Sequence, residues 1–304
     1  MSVIYNKVAL IGLGLIAGSM AHATRRAGLA GHIVGTSRTA ESRAIAQEIG
    51  FCDEVVSTAG EAVRDADLVV LAIPVGAMEA VATEIAPHLK AGATVTDVGS
   101  VKRAVMDAVQ PHIPAGVHFV PGHPLAGTEH SGPASGFAEL FDNRWCLLIQ
   151  SDDTDADAVA RLKSFWEGMG AHVEFMDADH HDLVVAVTSH APHLIAYTMV
   201  GVADDLRRVT DREVIKYSAG GFRDFTRIAA SDPTMWRDVF LNNKEATLEI
   251  LGRFTEELFA LQRAIRRGDG DHLHDYFTRT RAIRSGIIEA GQDTDEPDFG
   301  RSTR

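Results

Sequence analysis

Several short stretches carry residue types whose spacing suits chemistry. Gly12-Leu13-Gly14-Leu15-Ile16-Ala17-Gly18 lies between an apolar run ending at Gly12 and an amphipathic run starting at Ile16. Gly12 allows a tight turn, Gly14 lets a ligand come up to the backbone, and small Ala17 and Gly18 permit close helix packing. A helix beginning there would aim unpaired N–H groups and the positive end of its dipole at phosphate. Gly12, Gly14, Leu15, Ile16 and Ala17 are therefore expected to hold the pyrophosphate of a dinucleotide; the plainer alternative is a structural turn.

The second strand of such a unit ordinarily ends with an acid that hydrogen-bonds the adenosine ribose. Here the stretch reads Gly35-Thr36-Ser37-Arg38-Thr39, without a carboxylate. A carboxylate would repel a 2′-phosphate, whereas Ser37, Arg38 and Thr39 offer it donors, so these residues favour NADP over NAD.

Ile73-Pro74-Val75, Asp97-Val98-Gly99-Ser100-Val101-Lys102 and Gly122-His123-Pro124-Leu125-Ala126-Gly127-Thr128-Glu129 each follow a strand-like run. Open α/β sheets bind ligands at the carboxyl ends of parallel strands, which puts Ile73, Pro74 and Ser100 beside the cofactor. His123, between Gly and Pro in such a loop, is a candidate catalytic group, with a structural role as the alternative. Arg223 and Arg227, in Gly221-Phe222-Arg223-Asp224-Phe225-Thr226-Arg227, share a helix face, where like charges repel. Either a surface pair with Asp224 or Asp232 offsets that, or the two arginines clamp a substrate carboxylate. His180, His181, Asp182, His190 and His193 form a dense patch whose spacing matches no standard zinc motif. Hydrogen bonding and anion binding in a cleft are expected of it, and no metal.

These groups need a scaffold. Val8 to Gly12, His32 to Gly35, Leu68 to Ile73, Thr94 to Val98 and His118 to Val120 read as strands, with a weaker one near Val55. Helical patterns separate them at Ile16 to Ala27, Glu41 to Ile49, Ala77 to Leu89 and Lys102 to Val109. The alternation predicts an α/β fold, an N-terminal doubly wound parallel sheet of Rossmann type. Trp145 to Gln150 and His172 to Phe175, flanking a helix from near Asp155, are expected to extend that sheet at its edge. After about Met176 only helical periodicity remains. The expected domains are therefore 1–176 for the dinucleotide and an all-α C-terminal domain, 177–291, for substrate and subunit contacts, with 292–304 a disordered tail. Leu251, Phe254, Leu258, Leu261 and Ile265 make one apolar stripe on a long helix, suited to a core or to a subunit contact.

Composition narrows the function classes. The 304 residues carry a net charge of −13, which repels nucleic acid and acidic membranes. An anionic substrate faces the same field and needs a local cluster of Arg and His. The longest apolar runs fall short of the roughly 18 residues of a membrane span. The two cysteines, Cys52 and Cys146, read as buried free thiols. A start without signal-peptide features completes the expectation of a cytoplasmic enzyme.

Taken in order, the Gly-rich loop, Asp97–Lys102, Gly122–Glu129, His190-Ala191-Pro192-His193 and Gly221–Arg227 make the chain resemble the prephenate/arogenate dehydrogenases of tyrosine biosynthesis, from about residue 5 to 290. Ala17 stands where that family usually has Gly. The resemblance implies a homodimer built through the helical domains. It also implies oxidative decarboxylation of prephenate to 4-hydroxyphenylpyruvate, or of arogenate to tyrosine, with hydride passing to NAD(P). His123 would then act on the substrate 4-hydroxyl, with Ser100 holding that hydroxyl and the nicotinamide in register. Arg223 would bind a carboxylate, Arg227, His181 and His193 would complete the pocket, and Thr128 would help choose between the two substrates. Competing readings are a two-domain hydroxy-acid or imine reductase and a non-catalytic NADP-sensing protein.

Overall fold

A computed structural model describes residues 2–128, 130–150, 154–210 and 219–289. Six strands, β1 (Tyr5–Ile11), β2 (Ala30–Thr36), β3 (Glu54–Val55), β4 (Leu68–Leu71), β5 (Thr94–Asp97) and β6 (His118–Phe119), form an all-parallel sheet in the order β3-β2-β1-β4-β5-β6. The strand order reverses beside β1, the place where sheets of this kind open a ligand crevice. Helices α1 (Leu15–Ala27), α2 (Ala40–Ile49), α3 (Ala59–Ala62), α4 (Met78–Ile85) and α5 (Arg103–Val109) connect the strands. Burial explains why these strands read as unbroken apolar runs. Val8 and Leu10 of β1 and Leu68 and Val70 of β4 enter one apolar cluster, while Ala9, Ile11, Val69 and Leu71 enter another on the opposite face. Cys52 and Cys146 are buried free thiols.

The later strands do not extend this sheet. β7 (Gly122–Pro124), β8 (Trp145–Ile149) and β9 (His172–Met176) form a separate three-stranded sheet, with β7 antiparallel to β8 and β8 parallel to β9. Pro121 makes the break. Val120 still donates to Val95 of β5, but Pro121 has no N–H to continue, and its carbonyl instead accepts from Ile149. The chain thereby turns His123 into a second sheet that begins beside the end of β5. α6 (Ala156–Gly168), capped by Asp155, joins β8 to β9.

Beyond Met176 every described element is helical. α7 (Ala178–Val185) continues through a π-helical turn, Ala186–His190, into α8 (Ala191–Thr210), followed by α9 (Gly220–Thr226), α10 (Pro233–Asn242), α11 (Lys244–Arg267) and α12 (Gly270–Glu289). The chain separates into two compact units, residues 1–247 and 248–304. The first helices after the sheet belong to the first unit because Trp236 and Val239 of α10 join the apolar cluster of β4 and β5. Within the second unit Phe254, Leu258 and Ile265 are exposed, so the stripe is not core in the single chain. The tail expected at 292–304 lies outside the described residues.

Ala178–Asp205 holds an 18-residue window of mean hydropathy 1.4 and, by length and composition only, could cross a membrane. Single Ser, Thr and His residues interrupt its apolar runs without lowering the average much. The same rod carries His181, Asp182 and His190, all buried in hydrogen-bonded contact with other elements of the first unit.

Candidate active site

The site is assembled where β5, β7 and the α7–α8 rod meet. Asp97, the last residue of β5, is fully buried and forms an ion pair with the ammonium of Lys102, equally buried. Lys102 Nζ also donates to the Gly122 carbonyl at 2.6 Å, and Asp97 accepts from the amides of Gly99 and Gly122 at 2.8 and 3.2 Å. One ion pair thus fixes both the loop bearing Ser100 and the strand bearing His123. Desolvation pulls the Lys102 pKa down, against the opposing pull of Asp97.

Asp182 supplies the next anchor. Its carboxylate accepts from the amides of Lys102 (2.7 Å) and Arg103 (3.0 Å) and lies 2.8 Å from His181 Nδ1. Burial raises its pKa, but these bonds outweigh burial and hold the group below its ordinary value, ionised. His181 Nε2 in turn lies 2.8 Å from His123 Nδ1. Desolvation keeps His181 neutral despite Asp182. The tautomers then follow from donor counting. An ionised carboxylate only accepts, so His181 carries its proton on Nδ1; its bare Nε2 accepts, so His123 carries its proton on Nδ1. His123 Nε2 is left with a free lone pair. Desolvation, reinforced by His181, Lys102 and His190, holds the His123 pKa well below 6.5, so that the ring stays a base at neutral pH.

His181 is therefore not a wall of the pocket as its motif suggested. It is fully buried behind His123. The His patch also fails to supply the positive charge expected of it, because desolvation lowers the pKa of His181, His190 and His193 alike. His180 is exposed at the start of α7, away from this line. His193 is half-buried, donates from Nδ1 to the Ser189 carbonyl at 2.8 Å and stacks on Trp236, ring centroids 3.8 Å apart. The charge of Arg227 reaches His193 and helps lower its pKa. Arg223 is 74% exposed and approaches Asp224 at 3.4 Å, the surface pair that its sequence also allowed. Thr128 is exposed, its hydroxyl accepting from the His130 amide, and Glu129 lies outside the described residues. Asn243, which bridges Asp182 and His190, gave no signal in the sequence, since a lone Asn after a helix reads as a cap.

The residues at the reversal of strand order fit a dinucleotide. Gly12 has φ +93°, and a Cβ there would collide with the Ala72 carbonyl and with Ile73. Gly14 caps α1 without a side-chain bond, and a Cβ on it would meet nothing. The first turn of α1, with half-buried Leu15 and Ile16 and buried Ala17, thus presents its amides at an open surface. Ile73 and exposed Pro74 continue from β4 beside Gly12, and half-buried Ser100 lies between Gly99 and Lys102. After β2, Arg43 donates to the carbonyls of Ser37 (2.6 Å) and Arg38 (3.2 Å), bracing a loop whose Arg38 side chain is exposed. Thr39 is drawn into capping α2.

Residues 20–175 match the family model for the prephenate dehydrogenase nucleotide-binding domain, and residues 177–279 the model for its dimerization domain. The chain belongs to the prephenate dehydrogenase family. The cyclohexadienyl dehydrogenase of Zymomonas mobilis is 41% identical over 93% of this chain and 97% of its own length. The prephenate dehydrogenase of Bacillus subtilis is 34% identical over 92% of this chain and 76% of its own. The crystal structure of Aquifex aeolicus prephenate dehydrogenase with hydroxyphenyl propionate and NAD+ matches with a TM-score of 0.85 at 36% identity, covering 93% of this chain and 98% of that one. Membership makes this prephenate dehydrogenase relative an oxidoreductase with a nicotinamide dinucleotide as cofactor.

Proposed function

We propose that the protein oxidatively decarboxylates prephenate or arogenate. The observation that carries the reading is the line Asp182, His181, His123, which leaves one unprotonated imidazole nitrogen at the carboxyl edge of the sheet beside the dinucleotide loops. Gly12, Gly14, Leu15, Ile16, Ala17, Ile73, Pro74 and Ser100 would hold the dinucleotide, whose nicotinamide would supply a hydride acceptor for C4 of the substrate ring. His123 Nε2 takes the proton of the 4-hydroxyl as the carbonyl forms. The bond from C1 to the ring carboxylate then breaks, its electron pair closes the aromatic ring, CO2 leaves, and His123 returns the proton to the phenol oxygen. Ser100 holds the 4-oxygen; Arg223, Arg227 and His193 receive the side-chain carboxylate, and Thr128 contributes to the choice of substrate.

NADP is the proposed cofactor, since the loop after β2 offers Ser37 and Arg38 and no carboxylate. The proposed assembly is a cytoplasmic homodimer formed through the helical region, with the exposed stripe on α11 at its interface. Initial rates at 340 nm with each substrate and each cofactor test the reading. Turnover of prephenate or arogenate is expected, with a lower KM for NADP and loss of at least ~100-fold in kcat for His123→Asn. No turnover of either substrate rejects the activity, and an NAD preference untouched by Arg38→Ala rejects the cofactor assignment.

A further inference from the structure

His123 and His181 meet ring to ring inside the first unit, both buried, with Nδ1 of the first 2.8 Å from Nε2 of the second. The other nitrogen of His181, Nδ1, lies 2.8 Å from the Asp182 carboxylate. Three groups therefore share two hydrogen-bonded protons, each placed on an Nδ1 by donor counting. The two rings differ in what surrounds them. His181 touches a carboxylate. His123 is one ring removed from it and follows Gly122, whose carbonyl accepts from the Lys102 ammonium at 2.6 Å. Burial opposes a charge on either ring first of all, and Asp182 counters it at His181. An added proton is thus better held on His181 than on His123. Asp182 itself stays a carboxylate, because its two oxygens already accept from the amides of Lys102 and Arg103 at 2.7 and 3.0 Å.

We propose that the positive charge created when His123 takes the substrate proton is carried by His181: as the 4-hydroxyl proton reaches His123 Nε2, the proton on His123 Nδ1 moves to His181 Nε2 in the same step. The inference deepens the oxidative decarboxylation reading and rests on it. His123 is left as the neutral Nε2–H tautomer and His181 as an imidazolium against Asp182, and no electron changes hands along the line. Once CO2 has left, both protons run back: His123 gives its Nε2–H to the phenol oxygen and recovers Nδ1–H from His181. His181 acts on the substrate only through His123, as the positioning residue for that charge.

Single-turnover rates at 340 nm in mixtures of H2O and D2O count the protons in flight. The unsubstituted protein should give a bowed dependence on deuterium fraction, the signature of two protons moving together. His181→Gln brings an amide oxygen near the former Nε2, which accepts from His123 Nδ1–H but cannot take its proton. That variant is expected to give a straight line and to lose roughly tenfold or more in rate, with substrate and cofactor KM within about threefold. Nitrogen NMR of the unsubstituted protein, free of ligands, should find a proton on Nδ1 of both rings. A straight dependence in the unsubstituted protein or a His181 proton on Nε2 overturns the proposal, and neither result needs a variant to fold. A His181→Gln rate within about threefold overturns it as well. Unsubstituted protein inactive on both substrates would instead defeat the functional reading, while the spectrum would still report where the two protons sit.

Discussion

At the residue scale, the site works by keeping histidines uncharged. His123, His181 and His190 all have pKa values lowered first by desolvation. The base form of His123 persists below its ordinary range, so kcat/KM is expected to stay level from pH 8 to 6.5, with an acid limb only further down. An acid limb centred at 6.5 or above would contradict the buried-base assignment. Stability moves in the same direction. Each of these rings is neutral when folded but takes up a proton in the unfolded chain below about pH 6.5, so stability is lost as pH falls from there toward the folded pKa. For His190 alone the loss is about 2 kcal/mol at pH 5. Thermal unfolding at pH 7 and pH 5 checks this, and an unchanged Tm would sink it. The sequence singled out His123 because Gly122 and Pro124 announce a loop at the carboxyl end of a strand. It gave the His patch an anion-binding role because charge state is decided by burial, which a spacing pattern does not carry. Asn243 was invisible for a related reason: its partners, Asp182 and His190, are more than fifty positions away.

At the element scale, β7 carries His123 out of the dinucleotide sheet, and it hangs on Lys102. Removing one partner of a buried ion pair strands the other charge, so Lys102→Met is expected to destabilise the protein by about 3–5 kcal/mol. The variant also frees the Gly122 carbonyl, so activity should fall with stability. Urea unfolding measures the first, and a loss below about 1 kcal/mol would show that the pair does not anchor the strand. The parallel sheet was legible because its strands, covered on both faces, read as unbroken apolar runs. The separate sheet was not, since Trp145 to Gln150 carries the same kind of run and only the missing N–H of Pro121 redirects the pairing. No unbroken apolar run in Ala178–Asp205 reaches the length of a span, yet isolated Ser, Thr and His residues leave the mean hydropathy of one window there high.

At the scale of the whole molecule, Leu258 and Ile265 expose 52% and 68% of their surface, far more than an apolar stripe of a finished assembly would. Leu258→Glu is expected to shift sedimentation from dimer to monomer with the Rossmann-type unit still folded. A species of unchanged mass would remove this stripe from the interface. Periodicity alone showed the stripe, but whether it faces a core or a second subunit depends on what covers it, and the sequence of one chain leaves that open. A last consequence follows from the π-helical turn at Ala186–His190. Such a turn closes its hydrogen bonds over five residues where an α-helix uses four, so it accommodates one residue beyond the ordinary repeat. Excising a single position there would let the turn close as an ordinary α-helical one, with the rod beyond it holding its phase. The surplus residue thus sets how His190 is presented at the end of the turn rather than the direction of the helix that follows.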